Sequence, residues 1–304
     1  MSNKILGILL IVIAIIAVIV YFPSGDKTER TFRTELMDVD TSAISEIIIS
    51  PKSMNGESFR IFKTNSQWNV SLPNEKTAVV PMEKIDGLIK QILSIKPVRL
   101  AARSKAKWAE FEVDSSATRV IVKEDGNTTL DIMIGKFLFQ QPRSVSTYVR
   151  LSGDADVYLV DGFISMTFNQ GADTYRNNTI VKGDPQNWDQ LVFSYPADSS
   201  FQISRINDKW FSNGVPLDSA KTEKYLSQLA RLTNSNFVND FNSESVLPSY
   251  KLTISDHNST IATVNGYQVD SLIVVNSSLN NESYFNASEN NFMKKLFIGI
   301  NLLK

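Results

Sequence analysis

SFRIFKTNSQWNV (58–70) and SFQISRINDKWFS (200–212) are two versions of one strand–turn–strand pattern, each with a phenylalanine nine residues ahead of a tryptophan. The pairs are Phe59 with Trp68 and Phe201 with Trp210. Asn65-Ser66 and Asn207-Asp208 sit between the apolar runs, where short polar residues favour a turn. The likeness extends in both directions. Upstream, SEIIIS (45–50) matches DQLVFS (189–194). Downstream, Ile85, Leu88, Ile89, Ile92 and Ile95 form a helical stripe closed by Pro97, and Tyr225, Leu226, Leu229 and Leu232 form a second, with Asp218 placed to cap its start.

Further along, RVIVKEDGNTTLDIMIG (119–135) matches KLTISDHNSTIATVNG (251–266). The hairpin TYVRLSGDADVYLV (147–160) then matches DSLIVVNSSLNNESYF (270–285), and FISMTF (163–168) matches FMKKLF (292–297). The offset drifts from 142 residues at the tryptophans to 129 at the last phenylalanine, as small loop deletions would produce. An ordered series of matches implies a tandem duplication. Each copy reads as antiparallel strands with a helix on one face, so the expected class is α+β. The expected division is a first repeat over 44–172, a polar linker over 173–188 and a second repeat over 189–304. Phe59, Trp68, Phe201 and Trp210 are the expected structural anchors, because matched aromatics in both copies suit a core between hairpin and helix.

Ile5 to Phe22 contains no charged residue. As a helix it measures about 27 Å, close to the hydrocarbon thickness of a bilayer. A small-x-small cleavage pattern does not follow it, so the expectation is a single uncleaved transmembrane anchor within 1–22 and a polar stalk over 23–43. Lys27, Arg30 and Arg33 outnumber Lys4, which on charge alone places the larger part on the cytoplasmic side.

Composition narrows the chemistry. Of 304 residues, 42% are hydrophobic and 21% charged, the balance of a folded protein. Lysine plus arginine number 31 against 32 acids, so nothing global draws the chain to nucleic acid. The absence of cysteine excludes disulfides and thiolate ligands, and His257 is the only histidine. It lies in SDHNST, a natural turn. The alternating Glu110 and Glu112, and Asp154 with Asp156, read as solvated charge rather than as a glycosidase pair. No P-loop or calcium loop is complete. No catalytic activity, metal or cofactor is expected.

One cluster stands apart. Lys96, Arg99, Arg103, Lys105 and Lys107 place five cations in twelve residues, with no acid before Glu110. This is a candidate interaction patch for an acidic partner or anionic headgroups. Trp108 and Trp188 are candidate ligand aromatics for a groove between the copies.

With these residues in view, the chain resembles the bacterial membrane-anchored family known as domain of unknown function 4340. The resemblance rests on the N-terminal apolar segment, Trp68 with Pro73, the long helix, WAEFEVD (108–114), IGK (134–136), YVRL (148–151), VYLV (157–160) and YRNNTI (175–180). It spans roughly residues 40–240. Asn177 stands where the family has an acid after the linker arginine. The family has no established activity. The resemblance implies a non-catalytic protein of the cell inner membrane with its folded part in the periplasm, an interaction or scaffold module accessory to an ABC-type transporter or gliding-motility-like assembly. An extracytoplasmic module binding glycan, peptidoglycan or lipid is the alternative.

Overall fold

The computed structural model describes residues 32–140, 144–257 and 259–304. Its first half opens with a meander of β1 (Ile44–Ser50), β2 (Phe59–Thr64), β3 (Gln67–Ser71) and β4 (Thr77–Val79), followed by helix α1 (Met82–Leu93). The chain continues through β5 (Pro97–Ala102), the single turn α2 (Trp108–Phe111), β6 (Thr118–Glu124), β7 (Asn127–Gln140), β8 (Ser144–Leu151), β9 (Val157–Asp161) and the short helix α3 (Ile164–Phe168). The second half repeats this with β10 (Gln190–Ser194), β11 (Phe201–Ile206), β12 (Lys209–Ser212), β13 (Val215–Pro216), α4 (Ser219–Leu229), β14 (Tyr250–Asp256), β15 (Ser259–Val269), β16 (Leu272–Ser277), β17 (Asn280–Asn286) and α5 (Phe292–Leu296).

The strands form two antiparallel sheets. One runs β4-β3-β2-β1-β6-β7-β8-β9-β5 and the other β13-β12-β11-β10-β14-β15-β16-β17, the same order position for position as far as β9 and β17. Beyond β9 lies a full strand, β5; beyond β17, among the described residues, only Phe237 bridges to Phe285. Alternation sets the faces: Ile47 and Ile49 point into the first core, while Ser45 and Ile48 are only half-buried. Helix α1 covers that core with Ile85, Leu88 and Ile92. Helix α4 covers the second with Tyr225, Leu226 and Leu229, and Asp218 caps it by accepting from the Lys221 N–H at 2.8 Å. Both anchor tryptophans are buried, and each carbonyl accepts the N–H of the residue leading to its helix: Val80 to Trp68 and Leu217 to Trp210, both 2.9 Å. Phe59 is buried in the first core, while Phe201 stacks on Phe193 with centroids 4.4 Å apart.

The α+β expectation is corrected by this architecture. The longest described helix has twelve residues, and the cores are built mainly from sheets of nine and eight strands. The helical stripes were given the weight of a layer, whereas each helix fills only one patch of a long, twisted sheet. The transmembrane, single-pass description has no support either. Among the described residues no helix is long and apolar enough to cross a membrane. The segment Ile5–Phe22, on which that expectation rested, lies outside them.

Two stretches expected to be polar connectors belong to the cores. Within the expected stalk, Leu36 is buried and Phe32, Met37 and Val39 pack against the first core. Within the expected linker, Tyr175 enters the first core and Ile180, Val181 and Trp188 enter the second. Tyr175 lies against Phe59 with centroids 5.6 Å apart, and burial pushes its phenol up to about 12. Burial also raises Tyr195 and Tyr225. A phenol that stays neutral longer in the folded state contributes stability that is intact below pH ~10 and declines as the unfolded chain ionises first. Raising the pH from about 10 to about 12 is therefore expected to cost about 2 kcal/mol through Tyr175 alone. Urea midpoints across that range should fall steeply, and Tyr175→Phe should flatten the fall.

Candidate basic margin and its aromatic support

Strand β5 is the outer strand of its sheet. Among the described residues it pairs only with β9, from Pro97 opposite Val160 to Ala102 opposite Val157, with two irregularities in register. Pro97 opens the strand, as suits an edge position where a missing N–H costs least. Arg99 is exposed on it, and Lys96 is exposed just before it. Arg103 follows the strand, and a 3₁₀ turn, Lys105–Lys107, is capped by Ser104 Oγ accepting from the Ala106 N–H. The structure thus places all five cations on one sheet margin, exposed. Lys107 pairs with Glu110 at 2.6 Å, and that lysine holds the Glu110 carboxyl below the usual carboxylate range.

Trp108 supports this margin from below. It is half-buried, its indole N–H donates to the Ala155 carbonyl at 3.1 Å, and the Lys105 ammonium lies 5.3 Å from the ring. The Arg150 guanidinium covers the ring at 3.7 Å. Arg150 is only 4% exposed and is held by carbonyls: Nε donates to Val113, and Nη1 donates to Leu151, Ser152 and Asp154. Burial lowers its pKa, and Asp131, Asp154 and Asp114 oppose that shift. Asn276 does the same work in the second half, donating to the Asn280, Asn281 and Ser283 carbonyls of its own hairpin. The arginine adds reach: it ties the α2 segment to the sheet. A cavity of about 780 Å³ adjoins it, lined by Lys52, Trp108, Ser116, Arg119 and Arg150 among others. Lys52 is paired with Glu112 and Arg119 with Asp131.

Trp188 is corrected as a ligand aromatic. It is 1% exposed and sealed in the second core beneath Gly183, where an added Cβ would meet its Nε1 at 3.0 Å. No groove reaches it. His257 is exposed in the β14–β15 turn with Nδ1 2.9 Å from Asp189 Oδ2. Glu110 and Glu112 pair with different lysines, and Asp154 Oδ1 accepts the Asp156 N–H. Among the described residues no three His, Asp or Glu side chains converge to hold a metal.

Two residues escaped selection as sites. Arg150 lies in an apolar stretch, YVRL, where a lone arginine is the signal that marks it; Arg176, in the polar stretch YRNNTI, carries no such signal. Arg176 is 2% exposed, packs 3.7 Å over Phe237, and donates through Nη1 to Asp173 Oδ1 and Asn239 Oδ1 and through Nη2 to Ser283 Oγ. Its carboxylate partner is Asp173, three residues before it, rather than a residue after it. It lies at the seam between the sheets, where the Val79 N–H on β4 donates to Glu282 Oε2 and Lys76 pairs with Asp240.

No curated protein and no solved structure matched the chain. A family model did, over residues 68–253, a span that takes in both anchor tryptophans, the basic margin, Trp108, Arg150, Arg176 and the start of β14. The chain belongs to the family described as Domain of unknown function (DUF4340).

Proposed function

We propose that this protein is a non-catalytic interaction module, built from two copies of one sheet unit, which docks a partner protein through the β5 margin of its first sheet. The observation that carries the reading is that margin: an outer strand, open on one side among the described residues, with Arg99 on it, Lys96 just before it and Arg103, Lys105 and Lys107 just past it. The second sheet has a single bridge where the first has this strand. The family resemblance supports an assembly around an ABC-type transporter or gliding-motility-like machine, outside the cytoplasm, as the setting.

A ligand-binding reading, for glycan, peptidoglycan or lipid, is favoured by one observation, that Trp108 lines a cavity of about 780 Å³. Against it, Arg150 already occupies the ring face. In-cell crosslinking from a photoreactive residue at Val98, which is exposed on β5, separates the two. The expected result is a discrete protein adduct that disappears when Lys96, Arg99 and Lys105 are changed to glutamate. Crosslinks to no protein, or the same adducts from a photoreactive residue at Leu247 far along the chain, would overturn the docking reading.

A further inference from the structure

The seam between the halves shows how this fold receives a neighbour on the margin in question. In the second sheet the residues just past the bridge at Phe237 are Asn239 and Asp240. Asn239 accepts from Arg176 Nη1 and from Lys76 Nζ, and Asp240 pairs with Lys76. From β17, Glu282 accepts the backbone N–H of Val79 on β4, the edge strand of the first sheet opposite β5. An acidic and amide-bearing margin thus meets lysine, arginine and an edge-strand N–H.

The ladders identify the matching place in the first sheet. Leu100 on β5 lies opposite Tyr158, which lies opposite Val149; Phe237 lies opposite Phe285, which lies opposite Val275. Val149 and Val275 are themselves opposite Ile134 and Gly266. Leu100 therefore corresponds to Phe237. One irregularity lies between Leu100 and Ala102, so Ala102, opposite Val157, corresponds to Val238, whose N–H donates to the Tyr284 carbonyl. Arg103 then comes level with Asn239, and Ser104 with Asp240. Where the second sheet carries Asn239 and Asp240 against the first half's lysine, the first carries Arg103 and, just beyond, Lys105 and Lys107. The two margins differ in the sign of their charge.

A second copy of this chain does not fit that margin. The edge equivalent to β4 is β13, Val215–Pro216, whose nearest acids are engaged: Asp208 pairs with Arg205, and Asp218 caps α4. Basic residues on a sheet edge ordinarily discourage self-pairing, and here they also select the sign of what can pair. Resting on the docking reading above, we infer that β5 is extended by an acidic, extended segment of a different protein. Such a segment adds as a strand, its backbone meeting the outer edge of β5 and its carboxylates meeting Lys96, Arg99 and Lys105. A lipid headgroup satisfies the cations but leaves the strand's backbone groups unpaired, so the edge favours the peptide.

The test uses the full chain and a fluorescent peptide of about ten residues alternating glutamate with threonine and valine, long enough to span a strand. The control is the same peptide with lysine for glutamate. The expected result is saturable binding of the glutamate peptide with slowed amide exchange over 97–102. Affinity should fall at least about tenfold on raising salt from about 0.05 to about 0.5 M. It should fall similarly in the Lys96→Glu/Arg99→Glu/Lys105→Glu variant and partly in the glutamine triple variant, which leaves no added acids to perturb the fold. Binding of the lysine peptide, exchange protection elsewhere, or protection of 97–102 by phosphatidylglycerol vesicles without protection by the peptide would overturn it. Should a protein crosslink at Val98 while the peptide fails, strand addition falls and the docking reading stands; should neither occur, both fall.

Discussion

Gly135→Ala is expected to cost about 3–5 kcal/mol, at the upper end for a single methyl group. Gly135 sits on β7 within the register shift between Ile134 and Phe137, where the strand passes directly beneath the segment that ends α2. A Cβ there would lie 2.2 Å from the Phe111 carbonyl oxygen, 2.8 Å from Val113 Cγ1 and 3.0 Å from the Glu112 carbonyl oxygen. Two of those three atoms are backbone, so no rotamer change relieves the overlap. The segment cannot simply lift. Glu112 ends α2 in the left-handed region at φ 56°, the Val113 N–H donates to the Trp108 carbonyl, and the Val113 carbonyl accepts from Arg150. Either the bulge opens or Trp108 leaves Arg150. Urea denaturation should show the loss, and Trp108 fluorescence should shift with it. Gly87→Ala supplies the contrast, since Gly87 is helical with nothing within 4 Å of an added Cβ, and that variant should gain about 0.5–1 kcal/mol. Equal losses in both variants would remove the steric explanation.

That glycine also shows where sequence reading reached its limit. Aligning the two halves by eye pairs Gly135 with Gly266, because both end an apolar strand. The ladders place Gly266 against Val275 as Ile134 is placed against Val149, one residue out of phase with that match. Gly266 makes room for the Phe297 ring, a different need from that of Gly135. A similar slip affects the closing helices. Phe163 and Asn291 are the residues that precede them, leaving Phe163 54% exposed while Phe292 is 7% exposed inside the second core. Short motifs locate an element but do not set its phase; strand pairing does that, through contacts distant in sequence.

What was legible was local. Alternation in SEIIIS and in KLTISD marked strands whose inward residues are buried, and five cations without an intervening acid marked an exposed margin, because solvation of charge needs no partner. What was hidden depends on distant partners. The segment 173–188 looked like a linker because it is polar and carries Gly183 and Pro185, yet its backbone bonds across the fold: the Asn177 carbonyl accepts from Asn280, and the Ile180 carbonyl from Ser277. Polar side chains of the β16–β17 hairpin satisfy the segment's buried carbonyls, while Asp173, Thr174, Lys182, Asp184, Gln186 and Asn187 face water. The sheet-dominated class was missed for a related reason. A helical stripe is dense and conspicuous, while fourteen residues of β7 carry their pattern in pairs with two neighbouring strands.

The other large effect is expected at the seam. Arg176→Ala should destabilise the protein by about 2–4 kcal/mol, from the cavity left by a buried side chain and the hydrogen bonds lost with it. The side chain fills the space beside Phe237, and its removal strips donors from Asn239 and Ser283 at once. Arg176→Lys should recover little, because an ammonium can neither lie flat on the ring nor serve two acceptors through a rigid fork. Asp173→Asn, by contrast, alters a half-exposed carboxylate and should cost under about 1 kcal/mol. The consequence reaches beyond stability. Each half has its own core, and the seam joins them through Arg176, Lys76, Glu282 and the backbone of the connecting segment. Weakening it should turn a single unfolding transition into two, with Trp68 and Trp108 reporting the first half and Trp188 and Trp210 the second. A lone cooperative transition in Arg176→Ala, at a midpoint close to wild type, would mean that the halves are coupled elsewhere. The β5 margin packs within the first half alone, Leu100 against its main core and Ala101, Ala102 and Trp108 against a second cluster around Tyr148 and Leu159, so strand addition at β5 should survive the variant even as the two transitions separate.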